Sequence, residues 1–458
     1  MKYACKVSLG PCLLTLVLAG SARCVSLKAG VAKVDITPPP GLRLWGFEDR
    51  TAPSTGTRDP LYARVLVLEA GETRMALVAL DLGRPFGPDS MERLRAEARQ
   101  SSGISNVLVV ASHTHSAPVI SDSYPNGTPS WEAATLKKIA QAINEAHGQA
   151  VEAQLGTGYG VAYIGHNRLR HNPDGTVSWF ERNTTRIPTA PIDPTVSVLR
   201  VDKADGRPLA ILVNYACHPV IFGADNLEYS ADFPGVMTKT VEEAFGGQPL
   251  CFFLQGAPGD INPFYAVTRL EEDAVHWRDW TGQHLGEAAA HVAKEIHTDA
   301  VTDASIDYTE DLLTFRLRWD LEKLRQGLMQ ALGPQRFADY AAGLKPEFQL
   351  PVTTVLINKR IAFLAMPGEP FVNFQVNWRD RCPVPDAFLL GYANGYYGYF
   401  PTIRASTEGG YGAASSSTFI EPGAGERMVD QGVIEVYRML GRYRDLPEEM
   451  QPKTKGGT

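Results

Sequence analysis

A chain of 458 residues, 44% hydrophobic and 21% charged, has the composition of a soluble globular protein long enough to bury a large core. Its formal net charge of −7 is spread out, with no Lys/Arg block and no basic helix face, so nucleic acid is not an expected partner. Six cysteines are too few for a disulfide framework; a single bridge among Cys24, Cys217, Cys251 and Cys382 is compatible with an oxidising compartment, and the sequence does not pair them.

Taken in chain order, Lys2 and Lys6 precede an apolar run over residues 7–18, and small residues follow at 19–22. This pattern predicts a signal peptide over 1–22, a secreted or periplasmic protein, and no transmembrane anchor once the signal is cut. Residues 63–68 and 75–80 read as strands with Gly71 in the turn between them, 90–100 as a helix, 107–111 as a buried strand and 131–147 as an amphipathic helix. Further strands are expected over 209–215 and 250–254, with a helix over 235–245 between them. A long helix is expected over 270–297; its His284 and His291 read as surface residues, since no His-Glu-x-x-His accompanies them. Another helical stretch covers 320–343, and a hairpin covers 352–358 and 361–366. Residues 446–458 are polar and read as a flexible tail. The alternation predicts an α/β (mixed α+β) fold: one large domain over 29–445, with a mixed sheet flanked by helices. No internal repeat is visible, and no linker marks a boundary near residue 305.

Five apolar runs end in polar residues: at Asp81, at His113 and His115, at His218, at Asp260 and Asn262, and at Glu369. Each has an ordinary reading as turn chemistry. Together they resemble the strand-end clustering of sites in open α/β sheets. Two histidines and a glutamate suit a zinc ion that keeps one position open. Alternation along an extended strand puts His113 and His115 on the same side.

The ordered set Gly30 to Pro39, Leu61-Tyr62-Ala63-Arg64, Leu80-Asp81, Ser112-His113-Thr114-His115-Ser116, Asn167-Arg168, His218, Gly259-Asp260, Pro367-Gly368-Glu369 and Asn394 to Tyr399 resembles the catalytic domain of the neutral (non-lysosomal) ceramidases. The resemblance runs from about Ala29 to beyond Thr418 and implies a zinc-dependent amidase with the metal at strand ends. It implies His113, His218, Glu369 and Tyr399 as zinc ligands. It implies His115 as proton carrier, Arg168 as substrate-facing, and Tyr411 as donor to a developing oxyanion. Asp260 would orient a ligand histidine, and Asp81 would support the same cavity. Two departures accompany these matches. Asn262 stands where the family carries serine, so the pocket beside the metal should differ. About forty residues follow Thr418, too few for the family's immunoglobulin-like domain of about 100 residues.

The leading expectation is therefore a secreted or periplasmic zinc hydrolase whose activated water attacks an amide carbonyl, with ceramide or another N-acyl lipid as substrate. The same metal site acting on an ester, lactone or carbohydrate derivative is the second reading, with Trp179, Phe180, Tyr396 and Tyr397 as possible sugar-facing aromatics. A non-catalytic extracytoplasmic binding protein is the third. No Gly-x-Ser-x-Gly elbow is present, which disfavours a serine hydrolase.

Overall fold

A computed structural model describes residues 25–450, apart from residues 125, 342, 445, 448 and 449. The expected signal over 1–22, Cys24, and residues 451–458 of the expected tail lie outside the described residues. The chain runs three times through the same order of elements, strand–strand–strand–helix–strand–helix. The first unit is β1 (Leu27–Asp35), β2 (Tyr62–Ala70), β3 (Thr73–Leu80), α1 (Pro88–Ser102), β4 (Asn106–Ala111) and α2 (Ser130–Gly148). The second is β5 (Val151–Val161), β6 (Thr195–Lys203), β7 (Pro208–Tyr215), α3 (Asp232–Ala244), β8 (Leu250–Gln255) and α4 (Ala274–Glu295). The third starts with β9 (Ile306–Arg316) and inserts α5 (Leu321–Ala341), broken at Gly333-Pro334. It continues with β10 (Glu347–Ile357), β11 (Ile361–Ala365), α6 (Val372–Arg381), β12 (Asp386–Leu390) and α7 (Ala424–Met439).

Within each unit the first three strands pair antiparallel and the fourth lies parallel to the third, because a helix makes that crossover. The first two units share one eight-stranded sheet, ordered β8-β7-β6-β5-β1-β2-β3-β4. Their first strands join only at Lys28–Ala29 against Val151–Glu152. The third unit forms a separate four-stranded sheet, β9-β10-β11-β12. The two sheets pack face to face: Leu66, Leu77 and Leu212 from the large one meet Val355, Phe363 and Phe388 from the small one. On the outer faces, α1 and α2 cover β2–β4, α3 and α4 cover β6–β8, and α6 and α7 cover the small sheet. The result is a four-layer α/β/β/α sandwich, in which strands with both faces covered are apolar throughout.

The repetition is one of topology and leaves no repeated sequence, since each unit needs only apolar residues in its strands. Neither β5 nor β6 is among the elements expected from the sequence, and for β5 the reason is local. Its sequence, VEAQLGTGYGV, carries glycine at 156, 158 and 160, all on one face. A side chain at Gly156 or Gly160 would run into the end of α4 at His297, Ile296 or Val292. The strand is thinned on that face to let the helix approach, and this removes the apolar alternation that marks a half-buried strand.

Candidate metal centre

The third and fourth strands of the three units supply six carboxyl-terminal ends, and five of them converge. His113 follows β4, His218 follows β7 and Glu369 follows β11; Asp260 follows β8 and Tyr392 follows β12. The exception is Asp81 after β3. Its carboxylate accepts from Arg64 Nη1 at 2.8 Å and from the Tyr62 amide at 2.9 Å, which turns it toward a separate polar cleft shared with Lys33, Asp59 and Arg278. Asp81 thus braces strand ends and does not belong to the cavity for which it was expected.

His113, His218 and Glu369 are buried, and their potential ligand atoms all lie within 4.8 Å of one another. Both imidazoles are oriented by backbone. His113 Nδ1 lies 2.6 Å from the Gly83 carbonyl, and His218 Nδ1 lies 3.1 Å from the Ile261 carbonyl. A carbonyl only accepts, so in each neutral ring Nδ1 carries the proton and Nε2 presents its lone pair inward. His218 Nε2 is 3.0 Å and His113 Nε2 3.7 Å from Glu369 Oε2. Burial holds the His113 pKa down to about 3 and also lowers that of His218, which keeps both rings neutral. Burial alone would raise the Glu369 carboxyl, but the groups around it, with the Tyr396 hydroxyl donating to Oε1, hold it below the usual range. Two inward lone pairs and a carboxylate form a donor set of the kind that binds a divalent ion such as zinc.

His115 is brought to His113 by a turn. The strand ends at Ala111, and His113 takes a left-handed backbone (φ 70°). The two Nε2 atoms then lie 3.2 Å apart with the rings edge to face. The expected same-side placement is realised, though by this turn and not by strand alternation. Burial, reinforced by His113 and His218, holds the His115 pKa well below its ordinary value.

Tyr399 is buried beside Arg168. Its hydroxyl accepts from Arg168 Nη2 at 2.9 Å, and the hydroxyls that reach Glu369 belong to two other tyrosines of the same loop. Tyr396 donates to Oε1 at 2.6 Å and Tyr392 to Oε2 at 2.9 Å. The short parallel pairing of Glu369–Pro370 with Tyr399–Phe400 places the Tyr399 backbone beside Glu369 while its side chain goes to the arginine. With tyrosines at 392, 396, 397 and 399, the sequence points to this loop but carries no sign of which hydroxyls bond Glu369.

Arg168 is buried. It donates to Asn262 Oδ1 at 3.0 Å and to the Gly259 carbonyl at 2.7 Å. Its guanidinium lies over Trp179, Tyr399 and Tyr411 at 5.0, 5.6 and 5.5 Å. Burial opposes its charge, but the neighbouring tyrosines and Glu369 raise its pKa, so it stays protonated. Tyr411 is 47% exposed at the rim, edge-on to Trp179. Asn262 ties this layer together, with its Nδ2 donating to the Glu181 carbonyl at 3.0 Å. Asp260 does not touch a ligand histidine: it accepts from Asn167 Nδ2 at 2.7 Å and from the Val372 amide at 2.8 Å. The histidine is oriented by the next residue's carbonyl, that of Ile261. Arg50, like Tyr392, carries no motif that marks it in the sequence. Its guanidinium donates to the backbone carbonyls of Trp45, His115 and Asn226, fixing the loop that lays Phe47 against His115. Among the described residues, Cys217, Cys251 and Cys382 form no disulfide with one another.

The fold and site define a mixed α/β protein with a buried His-His-Glu group at converging strand ends. The family model described as neutral/alkaline non-lysosomal ceramidase, N-terminal, matches residues 27–270, and the chain belongs to this family. Among solved structures, the neutral ceramidase from Pseudomonas aeruginosa superposes with a TM-score of 0.71 at 18% identity, covering 94% of this chain and 77% of that one. A ceramidase complexed with C2 gives a TM-score of 0.70 at 17% identity, with the same coverage. The match to the family covers the first two units up to the start of α4, and therefore His113 and His218; Glu369 comes from the third.

Proposed function

We propose that the protein is a zinc-dependent hydrolase of amide bonds in N-acyl lipids, ceramides among them, working outside the cytoplasm as a secreted or periplasmic enzyme. The observation that carries this reading is the pair of inward-facing Nε2 atoms, fixed by the Gly83 and Ile261 carbonyls on either side of Glu369. Zinc bound by His113, His218 and Glu369 would supply a Lewis acid and lower the pKa of water. The chain's own residues account for the remaining steps. His115, kept neutral by burial, can take a proton from the attacking water and return it to the departing amine. Tyr396 keeps its proton, because burial raises its pKa well above the ordinary value, and so remains a hydrogen-bond donor beside the carboxylate. Arg168, locked by Asn262 and the Gly259 carbonyl, offers fixed positive charge to a polar head group, and Trp179 and Tyr411 wall the mouth.

Zinc content and hydrolysis of a panel of fluorogenic N-acyl amides, including short-chain ceramides, test this reading. Expected is one chelator-removable zinc per chain and amide cleavage that requires it. Folded protein that takes up no zinc, or zinc-loaded protein inert across the panel, overturns it.

A further inference from the structure

Tyr392 touches all three candidate ligands. Its ring stacks on the His113 imidazole with centroids 4.0 Å apart and planes 21° apart. Its hydroxyl lies 2.9 Å from Glu369 Oε2 and 3.4 Å from His218 Nε2. The backbone makes the same connections: the Tyr392 amide donates to Gly368, next to Glu369, and the Tyr392 carbonyl accepts from Ala111 at the end of the His113 strand. The residue is fully buried and holds a left-handed backbone (φ 48°), unusual for a large side chain and maintained only where surrounding contacts enforce it. Tyr396 bonds the other carboxylate oxygen, so the two oxygens of Glu369 are held by separate phenols.

We infer that Tyr392 is a positioning residue for the metal: its ring sets the plane of His113 and its hydroxyl sets the rotation of Glu369, so the three ligands are arranged before any ion arrives. The hydroxyl selects Oε2, and the ring lies in direct contact with His113, at 4.0 Å against 6.5 Å for the parallel ring of Tyr396. Partners of this kind typically change metal affinity by about ten- to a hundredfold when removed. The inference rests on the zinc reading above.

The test is competition titration of metal-free protein with zinc against a chromophoric chelator, for wild type, Tyr392→Phe and Tyr392→Leu. Metal-free melting temperature and near-ultraviolet circular dichroism are measured alongside as fold controls. Tyr392→Phe keeps the stack and loses the hydroxyl; its zinc Kd should rise about tenfold or more while the near-ultraviolet circular dichroism of the metal-free protein is retained. Tyr392→Leu loses both and should bind more weakly still. Where amide hydrolysis is measured, excess zinc should restore kcat in Tyr392→Phe with KM unchanged. Wild-type Kd in folded Tyr392→Phe overturns the inference and leaves the zinc reading standing. Wild type that binds no zinc overturns both.

Discussion

The Nε2 atoms of His113 and His115 lie 3.2 Å apart, yet only the first ring has its Nδ1 held by a carbonyl. His115 Nδ1 is buried with no hydrogen-bond partner among the described residues. One candidate ligand ring is therefore fixed in orientation, while the other stands beside it with a nitrogen uncommitted.

This asymmetry predicts separable losses. His113→Ala should abolish zinc binding and activity together. His115→Gln should retain stoichiometric zinc while kcat falls by roughly 10²–10⁴-fold, the usual worth of a positioned acid–base group. Zinc content measured beside kcat on the same preparations checks this; loss of zinc from His115→Gln would contradict the division of roles.

Gly46 offers a second way to reach His115 without touching it chemically. It has φ +95°, and a Cβ there would collide with the His115 ring. Gly46→Ala should displace the imidazole, lowering kcat by on the order of a hundredfold while zinc affinity stays unchanged. Equal kcat in the variant would show that the loop yields and that the ring does not depend on it.

Much of this centre is legible in the sequence because apolar strands end abruptly in polar residues, and His113, His218 and Glu369 all sit at such ends. The order of residues about Tyr392 to Tyr399 identifies the loop but not which hydroxyls bond Glu369, since this depends on left-handed backbone at Tyr392 and Asn394. The partners of Asp81 and Asp260 were equally invisible: each carboxylate is captured by groups distant in the chain, Arg64 for one and Asn167 with Val372 for the other. Strand β5 escaped because its glycines serve a helix that follows more than a hundred residues later.

Asp81 and Arg64 form a buried ion pair at 2.8 Å with side chains about 5% exposed. Removing one partner strands the other charge in the interior. Asp81→Ala should destabilise the fold by about 3–5 kcal/mol in chemical denaturation. In the fraction that remains folded, zinc affinity should match wild type, since the pair faces away from the ligands. Weaker zinc binding by folded Asp81→Ala would return this aspartate to the site.

Asp232 gives a pH dependence. Burial raises its pKa to about 6, partly offset by the Phe233 and Phe222 amides, against an ordinary value of 3.8. The folded state therefore holds this proton where the unfolded chain has released it. Its stabilising contribution is complete below about pH 4 and is lost as the pH rises through about 6. The stability difference between wild type and Asp232→Asn should fall by on the order of 2–3 kcal/mol across that interval and be flat above it. Denaturation curves at half-unit pH steps measure this; a constant difference would place the Asp232 pKa near its ordinary value.

The recurring unit also separates two kinds of change. Groups at the reacting centre come from ends of third and fourth strands, whereas the mouth is walled by the long connections between first and second strands. Residues 36–61 bring Trp45 and Phe47, and 162–194 bring Arg168 and Trp179. In 317–346, Arg318 and Trp319 bond carbonyls of the segment that carries Tyr411. Each connection leaves and re-enters its sheet through an antiparallel pair, so it can be exchanged in length or composition without shifting a strand end. Exchanging the tips of these connections between relatives, with Gly46, Arg50 and Arg168 kept, is thus a route to a reshaped mouth over an unaltered candidate metal centre.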